Sequence, residues 1–432
     1  MIVARAWAGK RYAVLGLARS GSATVSALLA GGATVVAWDS DPNKRVHPRE
    51  GGGGVEFADL DTVDLTSIDA LVVSPGVPLN THPLAAKARA DGVPVIGDIE
   101  LFAEARVDLP LHKVVGITGT NGKSTTTALV HHIVRTAGIP SLMGGNIGLP
   151  ILAAAPLPAG GVYVLELSSY QLDLTLTLDC DVAVLLNVTP DHLDRYDGFD
   201  AYAESKARLF AMQSPTNEAV IAIGDSPSAA IARSLSARGE HLSKIAPGIC
   251  MDQSRWPALQ GPHNAQNALA AIAVARALGV PETAIDRGLE TFIGLPHRME
   301  TVATRHGVRF VDDSKATNPE STAPALAAFE RVHWIAGGRA KGDDLDACAA
   351  YFDRVVAAYT IGEAAASFFD LLKGRVPAVE RAGDLATAVA HAASAARPGD
   401  VVLLSPAAAS FDQFTDYVAR GLAFRTAVEA LP

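Results

Sequence analysis

The segment Gly116-Ile117-Thr118-Gly119-Thr120-Asn121-Gly122-Lys123-Ser124-Thr125 separates an apolar run (Val114, Val115, Ile117) from a stretch of helical composition over 126–136. Small residues there let backbone N–H groups wrap a polyphosphate, the Lys123 ammonium can reach β- and γ-oxygens, and the Ser124 hydroxyl can ligate Mg²⁺. The common pattern GxxxxGK[ST] ends correctly at Gly122-Lys123-Ser124 but opens on Ile117, so its first glycine is displaced. Phosphoryl transfer is mostly positioning and charge neutralisation, so hard oxygen ligands for a metal must stand close to such a loop. Glu166, at the C-terminal end of the apolar run 163–167, is placed for that. His192 in Thr189-Pro190-Asp191-His192 and Lys206 in Tyr202-Ala203-Glu204-Ser205-Lys206 carry no comparable signal alone. A histidine in a polar loop is more often a surface residue, and a lysine on a helix a solvated one.

These groups need strands that end in polar residues, because open parallel sheets collect ligands at the carboxyl ends of their strands. A first series of strands is predicted at 12–15, 34–38, 70–73 and 93–96, with a tight turn over 16–21 and a helix over 22–29. A second runs through 113–118, 163–167 and 182–187, and a third through 309–311, 333–336, 357–361 and 401–404. The fold class is therefore α/β in three domains, divided at 1–98, 99–297 and 298–432. In the first, Gly16-Leu17-Ala18-Arg19-Ser20-Gly21 with Asp39-Ser40 about 20 residues on looks like a dinucleotide fingerprint. Ala18 replaces its middle glycine, and no hydride-transfer apparatus follows. The run Gly51 to Gly54 is expected to be a loop without chemistry.

A net charge of −10 argues against a nucleic-acid partner, which would need basic patches to displace counterions. It leaves room for an anionic small molecule held by local charges and helix N-termini. Cys180, Cys250 and Cys348 are an odd count without CxxC spacing, so neither a disulfide framework nor a zinc site is expected, and a reducing cytosol fits. The N-terminus lacks a signal-peptide core, and no run approaches the ~18–20 apolar residues of a membrane span. A cytoplasmic monomer is expected.

The phosphate loop resembles that of the Mur ligases and the folylpolyglutamate synthetases, whose first glycine is displaced in the same way. The likeness continues through Gly144-Gly145-Asn146-Ile147-Gly148, Glu166-Leu167-Ser168-Ser169-Tyr170-Gln171, Asn187-Val188-Thr189-Pro190-Asp191-His192-Leu193-Asp194-Arg195, His263-Asn264-Ala265-Gln266-Asn267 and Leu295-Pro296-His297-Arg298-Met299-Glu300. The first-domain turn and the segments Asp313-Ser314-Lys315-Ala316-Thr317-Asn318-Pro319, Gly337-Gly338-Arg339-Ala340-Lys341-Gly342 and Ser405-Pro406-Ala407-Ala408-Ala409-Ser410 are similar to those of the D-glutamate-adding Mur ligases. No DNPR-type diaminopimelate motif is present.

The resemblance implies a Rossmann-like UDP-binding domain, a P-loop ATPase domain and a C-terminal Rossmann-like domain. The implied reaction adds D-glutamate to UDP-N-acetylmuramoyl-L-alanine at the expense of ATP, through an acyl phosphate, in peptidoglycan precursor synthesis. It assigns catalysis to Lys123, Glu166, His192 and Lys206, and ATP to Gly119, Thr120, Asn121, Gly122, Lys123, Ser124 and Thr125 with Asn267, Arg298 and Asp313. The guanidinium fork of Arg298 suits a polyphosphate approached from a separate domain. Two Mg²⁺ ions are implied, one on Ser124 and Glu166, the other on His192 and Lys206. Carbamylation of Lys206 would turn a cation beside two metal ions into a carboxylate ligand. The UDP-linked substrate falls to Arg19, Ser20, Asp39, Ser40, Gly76, Asn146 and Ser168, and D-glutamate to Thr317, Lys341, Ser410 and Tyr417 with Lys315 in support. Tyr417 stands where phenylalanine is commoner. A folylpolyglutamate synthetase would lack the UDP-type first domain, a non-catalytic regulator would keep the loop but need neither Glu166, His192 nor Lys206, and an NAD-dependent oxidoreductase would use the first domain alone.

Overall fold

Three sheets form where the three series of apolar runs lie in the computed structural model, which describes residues 1–45, 54–191, 193–239, 241–246 and 251–432. Gly51 to Gly53, His192 and Cys250 lie outside the described residues. The first sheet comprises β1 (Arg11–Leu15), β2 (Thr34–Trp38), β3 (Val55–Phe57), β4 (Ala70–Val73) and β5 (Val95–Ile96), in the order β3-β2-β1-β4-β5. The second comprises β6 (His112–Thr118), β7 (Ser141–Gly145), β8 (Gly161–Glu166), β9 (Val182–Leu185), β10 (Glu218–Ala222) and β11 (Leu242–Ile245), in the order β11-β10-β9-β6-β8-β7. All pairings in these two sheets are parallel. The third contains β12 (Glu300–Arg305), β13 (Val308–Asp312), β14 (Val332–Gly337), β15 (Val355–Ile361), β16 (Val379–Gly383) and β17 (Val401–Leu404), in the order β12-β13-β17-β14-β15-β16. Only its edge strand β12 runs antiparallel, against β13.

The central strands are buried on both faces, which is why they read as unbroken apolar runs rather than alternating ones. The strands that patterning misses, such as β3, β12 and β16, are exposed or half-buried edges with polar residues. Helix starts are also displaced. The helix expected from 22 begins at Arg19, and the one expected from 126 begins at Lys123. Neither has a capping side chain, since Ala18 and Gly122 occupy the N-cap positions, so the ordinary start signal is absent. The consequence is functional: Arg19, Ser20, Lys123, Ser124 and Thr125 stand in first helical turns, whose N–H groups favour anions.

Contacts divide the chain into two compact units, Met1–Pro247 with Gln266–Leu289, and Gly248–Ala265 with Glu290–Pro432. The first holds two sheets because they share one core. Trp7, Ile99, Phe102, Leu152 and Tyr163 belong to a single buried apolar cluster, and Phe102 meets Tyr163 edge-on with ring centroids 5.1 Å apart. Burying each such side chain stabilises the unit by roughly 1.5–3 kcal/mol. In the second unit, side chains alternate across the third sheet. Trp334 and Leu403 enter one apolar cluster, Ile335 and Val402 the other. Among the described residues, no helix is long and apolar enough to cross a membrane.

Candidate active site

Strand order reverses between β6 and β9, and the phosphate loop lies at the carboxyl ends of that pair, where an open sheet leaves a crevice. The loop is held from the side of β9. Thr120 N–H donates to Asn187 O at 2.9 Å, Asn121 N–H to Asn187 Oδ1 at 2.8 Å, and Asn187 Nδ2 returns a bond to Asn121 O at 3.0 Å. Thr189 N–H donates to Thr120 Oγ1 at 3.0 Å, and the Tyr202 hydroxyl lies 3.1 Å from the same oxygen. Gly122 has φ +86°, and a Cβ there would collide with Asn267 Oδ1, so Gly122 both turns the chain and admits the Asn267 amide. Lys123 Nζ donates to the loop carbonyls of Gly119 at 2.9 Å and Thr120 at 2.8 Å.

Glu166 ends β8 opposite Ile117, two residues before the loop, and is only 3% exposed. Its Oε1 accepts a bond from Asn146 Nδ2 at 3.0 Å, while Oε2 has no hydrogen-bond partner among the described residues. A buried carboxylate oxygen is rarely left without a donor, and a hard cation such as Mg²⁺ fits that position chemically. Gly145, at φ +85°, permits the approach of β7, because a Cβ there would strike the Glu166 carbonyl. Lys206 lies on the helix Gly198–Ala211, is 1% exposed, and donates from Nζ to Gly119 O at 3.0 Å. Burial, aided by the charge of Lys123, pushes its ammonium well below the ordinary lysine range. The shift favours the neutral amine, which is the form that can add to carbon dioxide. The structure thus brings Lys123, Glu166, Lys206 and Asn267 to one loop, while His192 lies outside the described residues.

The first sheet reverses between β1 and β4, and the glycine turn stands at that point. Ser74 Oγ donates to Gly16 O at 2.8 Å. Both Asp39 carboxylate oxygens are taken by backbone, Oδ2 by Leu17 N–H at 2.7 Å and Oδ1 by Asp41 N–H at 2.9 Å. Burial alone would raise its pKa, but these donors, with Lys44 and Arg45, hold it below the usual carboxylate range. Asp39 therefore braces the turn as well as bordering it. Ser40 and Gly76 are exposed at the same edge. Lys44 and Arg45, to which sequence patterning attaches no role, bring two cations there: Lys44 Nζ lies 3.9 Å from Asp39 Oδ1, and the Arg45 guanidinium lies 3.5 Å over the Trp38 ring. Arg19 reaches Gly148 O at 2.9 Å, and Ser168 caps the helix Ser169–Asp173 in a capping box with Gln171.

Behind the turn, Asp98 is buried beside Ser20, Gly21 and Ser74. Burial pushes its carboxyl up to about 6 against weaker pulls from Gln171 and the Ile99 N–H, and among the described residues neither oxygen has a hydrogen bond of ordinary geometry. The folded state therefore holds this proton more tightly than the unfolded chain does. The associated stability is full below about pH 4 and is lost as pH rises through about 6. Asp98→Asn cannot titrate, so it should gain on the wild type by ~1–2 kcal/mol between about pH 5 and about pH 8. Urea melts of both proteins at the two pH values measure this, and a constant difference would contradict it.

In the second unit, three segments converge at the carboxyl ends of β13, β17 and β14. Asp313 is buried and accepts bonds from Ser405 Oγ at 2.8 Å and Met299 N–H at 3.2 Å, and burial pushes its carboxyl up to about 7. Arg298, partly exposed, lies between His297 and Met299, whose φ angles are +62° and +51°. His297 Nδ1 lies 2.7 Å from Asp312 Oδ2, which fixes this bend against β13. Lys315 Nζ sits 4.2 Å over the Tyr417 ring, bringing two residues assigned to D-glutamate together. Arg339 and Ala409 exchange backbone bonds at 2.8 and 2.9 Å, which joins the segment bearing the exposed Lys341 to that of the buried Ser410. Thr317 is half-buried near the end of the 313–317 segment.

Comparison with known proteins accounts for nearly the whole chain. A model of the Mur ligase MurD-like N-terminal domain matches residues 10–97, the Mur ligase middle domain 117–246, and the Mur ligase glutamate ligase domain 297–408. The UDP-N-acetylmuramoylalanine--D-glutamate ligase of Novosphingobium aromaticivorans is 62% identical over 100% of this chain and 97% of its own length. The chain belongs to the Mur ligase family. The enzyme of the same name from Sphingopyxis alaskensis is 61% identical over the full length of both. Among solved structures, the MurF ligase of Thermotoga maritima in complex with ADP is similar in fold, with a TM-score of 0.61 at 18% identity over 98% of this chain and 95% of that one.

One residue that holds this Mur ligase's third sheet together carries no local signal. Arg420 is 1% exposed and donates to Ser314 Oγ (3.0 Å), Ser314 O (2.8 Å), Ala408 O (3.0 Å) and, at 3.4 Å, Gly337 O. It thus ties the segments bearing Lys315, Ser410 and Lys341 to one another. In sequence it is one arginine among many on a C-terminal helix, Tyr417–Glu429, and only its burial reveals the role.

Proposed function

We propose that this Mur ligase joins D-glutamate to UDP-N-acetylmuramoyl-L-alanine in the cytoplasm, as a monomer. In this reading 1–98 takes the UDP-linked substrate, 99–297 the ATP and 298–432 the amino acid. The observation that carries the substrate choice is the 62% identity, over the whole chain, to a ligase named for that reaction. The ATP γ-phosphoryl group passes to the carboxylate of the UDP-linked substrate, releasing ADP. The amine of D-glutamate then attacks the acyl carbon, loses a proton to solvent, and inorganic phosphate departs with the C–O electron pair. Lys123 and the N–H groups at the start of its helix balance the phosphoryl charge, and Arg298 would add a second cation. Glu166, Ser124, His192 and a carbamylated Lys206 would hold Mg²⁺, which when bound neutralises charge on the transferring oxygens. The orphaned Oε2 of Glu166 and the depressed ammonium of Lys206 support this assignment.

Purified protein with Mg²⁺, ATP and both acceptors should release ADP and phosphate with formation of the dipeptidyl product, and omitting either acceptor should stop turnover. ADP release indifferent to both acceptors would reject the proposal. The amino-acid pocket gives a narrower test. A charge-assisted hydrogen bond is worth about 1.5–3 kcal/mol, so Lys341→Ala should raise the KM for D-glutamate at least ~10-fold while the KM for ATP changes little. Steady-state kinetics with each substrate varied in turn separate the two, and a raised ATP KM beside an unchanged D-glutamate KM would move Lys341 to the nucleotide.

A further inference from the structure

A single guanidinium fastens the loop after β4 to the turn Leu193–Arg195. Arg195 Nη2 donates to Val77 O at 2.8 Å, and its Cζ lies over the Tyr170 ring, 4.4 Å from the centroid. Beside it, Asn80 Nδ2 donates to Asp194 O at 3.1 Å, so two bonds cross the same junction. Tyr170 stacks in turn on Tyr196, with centroids 6.0 Å apart and planes 9° from parallel, and the Tyr196 hydroxyl donates to Asp173 Oδ2 at 2.8 Å. The aromatic platform is thereby fixed before the arginine rests on it.

Each side of the junction leads to a binding element. Val77 N–H donates to Ser74 O at 3.0 Å, and Ser74 Oγ donates to Gly16 O in the glycine turn of the first sheet. On the other side, Thr189 N–H donates to Thr120 Oγ1 of the phosphate loop, six residues before Arg195 in the chain. No role assigned above uses Arg195. A guanidinium that donates to a carbonyl while its Cζ stands over a ring is held at two points at once, which the single ammonium of a lysine does not reproduce.

We infer that Arg195 is a positioning residue that couples the loop 74–80 to the turn Leu193–Arg195, so that the UDP-linked substrate and ATP strengthen each other's binding. The inference rests on the proposed function for the identity of the two ligands. Coupling of this kind is reciprocal and is measured without chemistry.

The test is equilibrium binding of the Mg²⁺ complex of a non-hydrolysable ATP analogue, with and without saturating UDP-N-acetylmuramoyl-L-alanine. In the wild type, the second ligand should tighten the first at least ~5-fold. Arg195→Ala should bring that factor close to one while the affinity for the analogue alone stays within about twofold of wild type. Arg195→Lys should restore only part of it, because the charge over Tyr170 returns but the two-sided geometry does not. Asn80 is exposed, so Asn80→Ala serves as a variant with little risk to folding, and it should lower the factor in the same direction. A merely structural role would lower the melting temperature or both affinities and leave their ratio unchanged. That result, or a wild-type factor of one, overturns the inference while ADP release dependent on both acceptors still upholds the proposed function. Loss of that dependence would instead remove the function and the inference together.

Discussion

Replacing Lys123 by alanine is expected to lower kcat by ~10²–10³-fold, the usual cost of removing one group aimed at charge that develops in a transition state. The fold should survive. The Lys123 ammonium binds the carbonyls of Gly119 and Thr120, and those carbonyls can turn to water when it is gone. Circular dichroism should match wild type, and a variant that keeps more than about a tenth of kcat, a barrier change under ~1.4 kcal/mol, would show that the loop does not act on the transferring group. A second consequence follows from the neighbouring amine. After burial, the charge of Lys123 is the main influence that lowers the Lys206 ammonium, so its removal should raise the protonated fraction of Lys206. Lesions at the two positions should therefore fail to add, as expected for groups that share one site.

Lys206→Ala should lose activity by more than ~10²-fold, and short carboxylic acids such as formate should restore part of it. The physical basis is the burial of the amine against Gly119 O and the Tyr202 ring. Truncation leaves a small space beside the phosphate loop that a carboxylate can enter as an oxygen ligand in place of the carbamate. Rescue should saturate with acid concentration and should be absent in Lys123→Ala, whose defect is of another kind. An alanine variant with wild-type turnover would remove Lys206 from the site.

The sequence by itself determined the parts whose chemistry is local. The phosphate loop is legible because its work is done by consecutive backbone N–H groups and the two side chains that follow, all within one strand-turn-helix unit. Glu166 is legible because a parallel strand buried on both faces reads as an apolar run, and the polar residue that ends it must lie at the ligand edge. The α/β class and the central strands of all three sheets follow from the same runs.

Only the tertiary structure decided what depends on residues far apart in the chain. Asn187 pins Asn121 from 66 positions away, Asp39 spends its carboxylate on the Leu17 N–H from 22 away, and Arg420 gathers Ser314 from 106 away. A lysine on a helix carries no mark of burial, so the lowered pKa of Lys206 appears only once α/β packing has stripped water from it. Helix starts at Arg19 and Lys123 escaped patterning because Ala18 and Gly122 offer no capping side chain. Residue type and spacing along the chain thus fix which groups can do chemistry, while burial and long-range hydrogen bonds, which are properties of the packed sheets, fix their charge state and orientation.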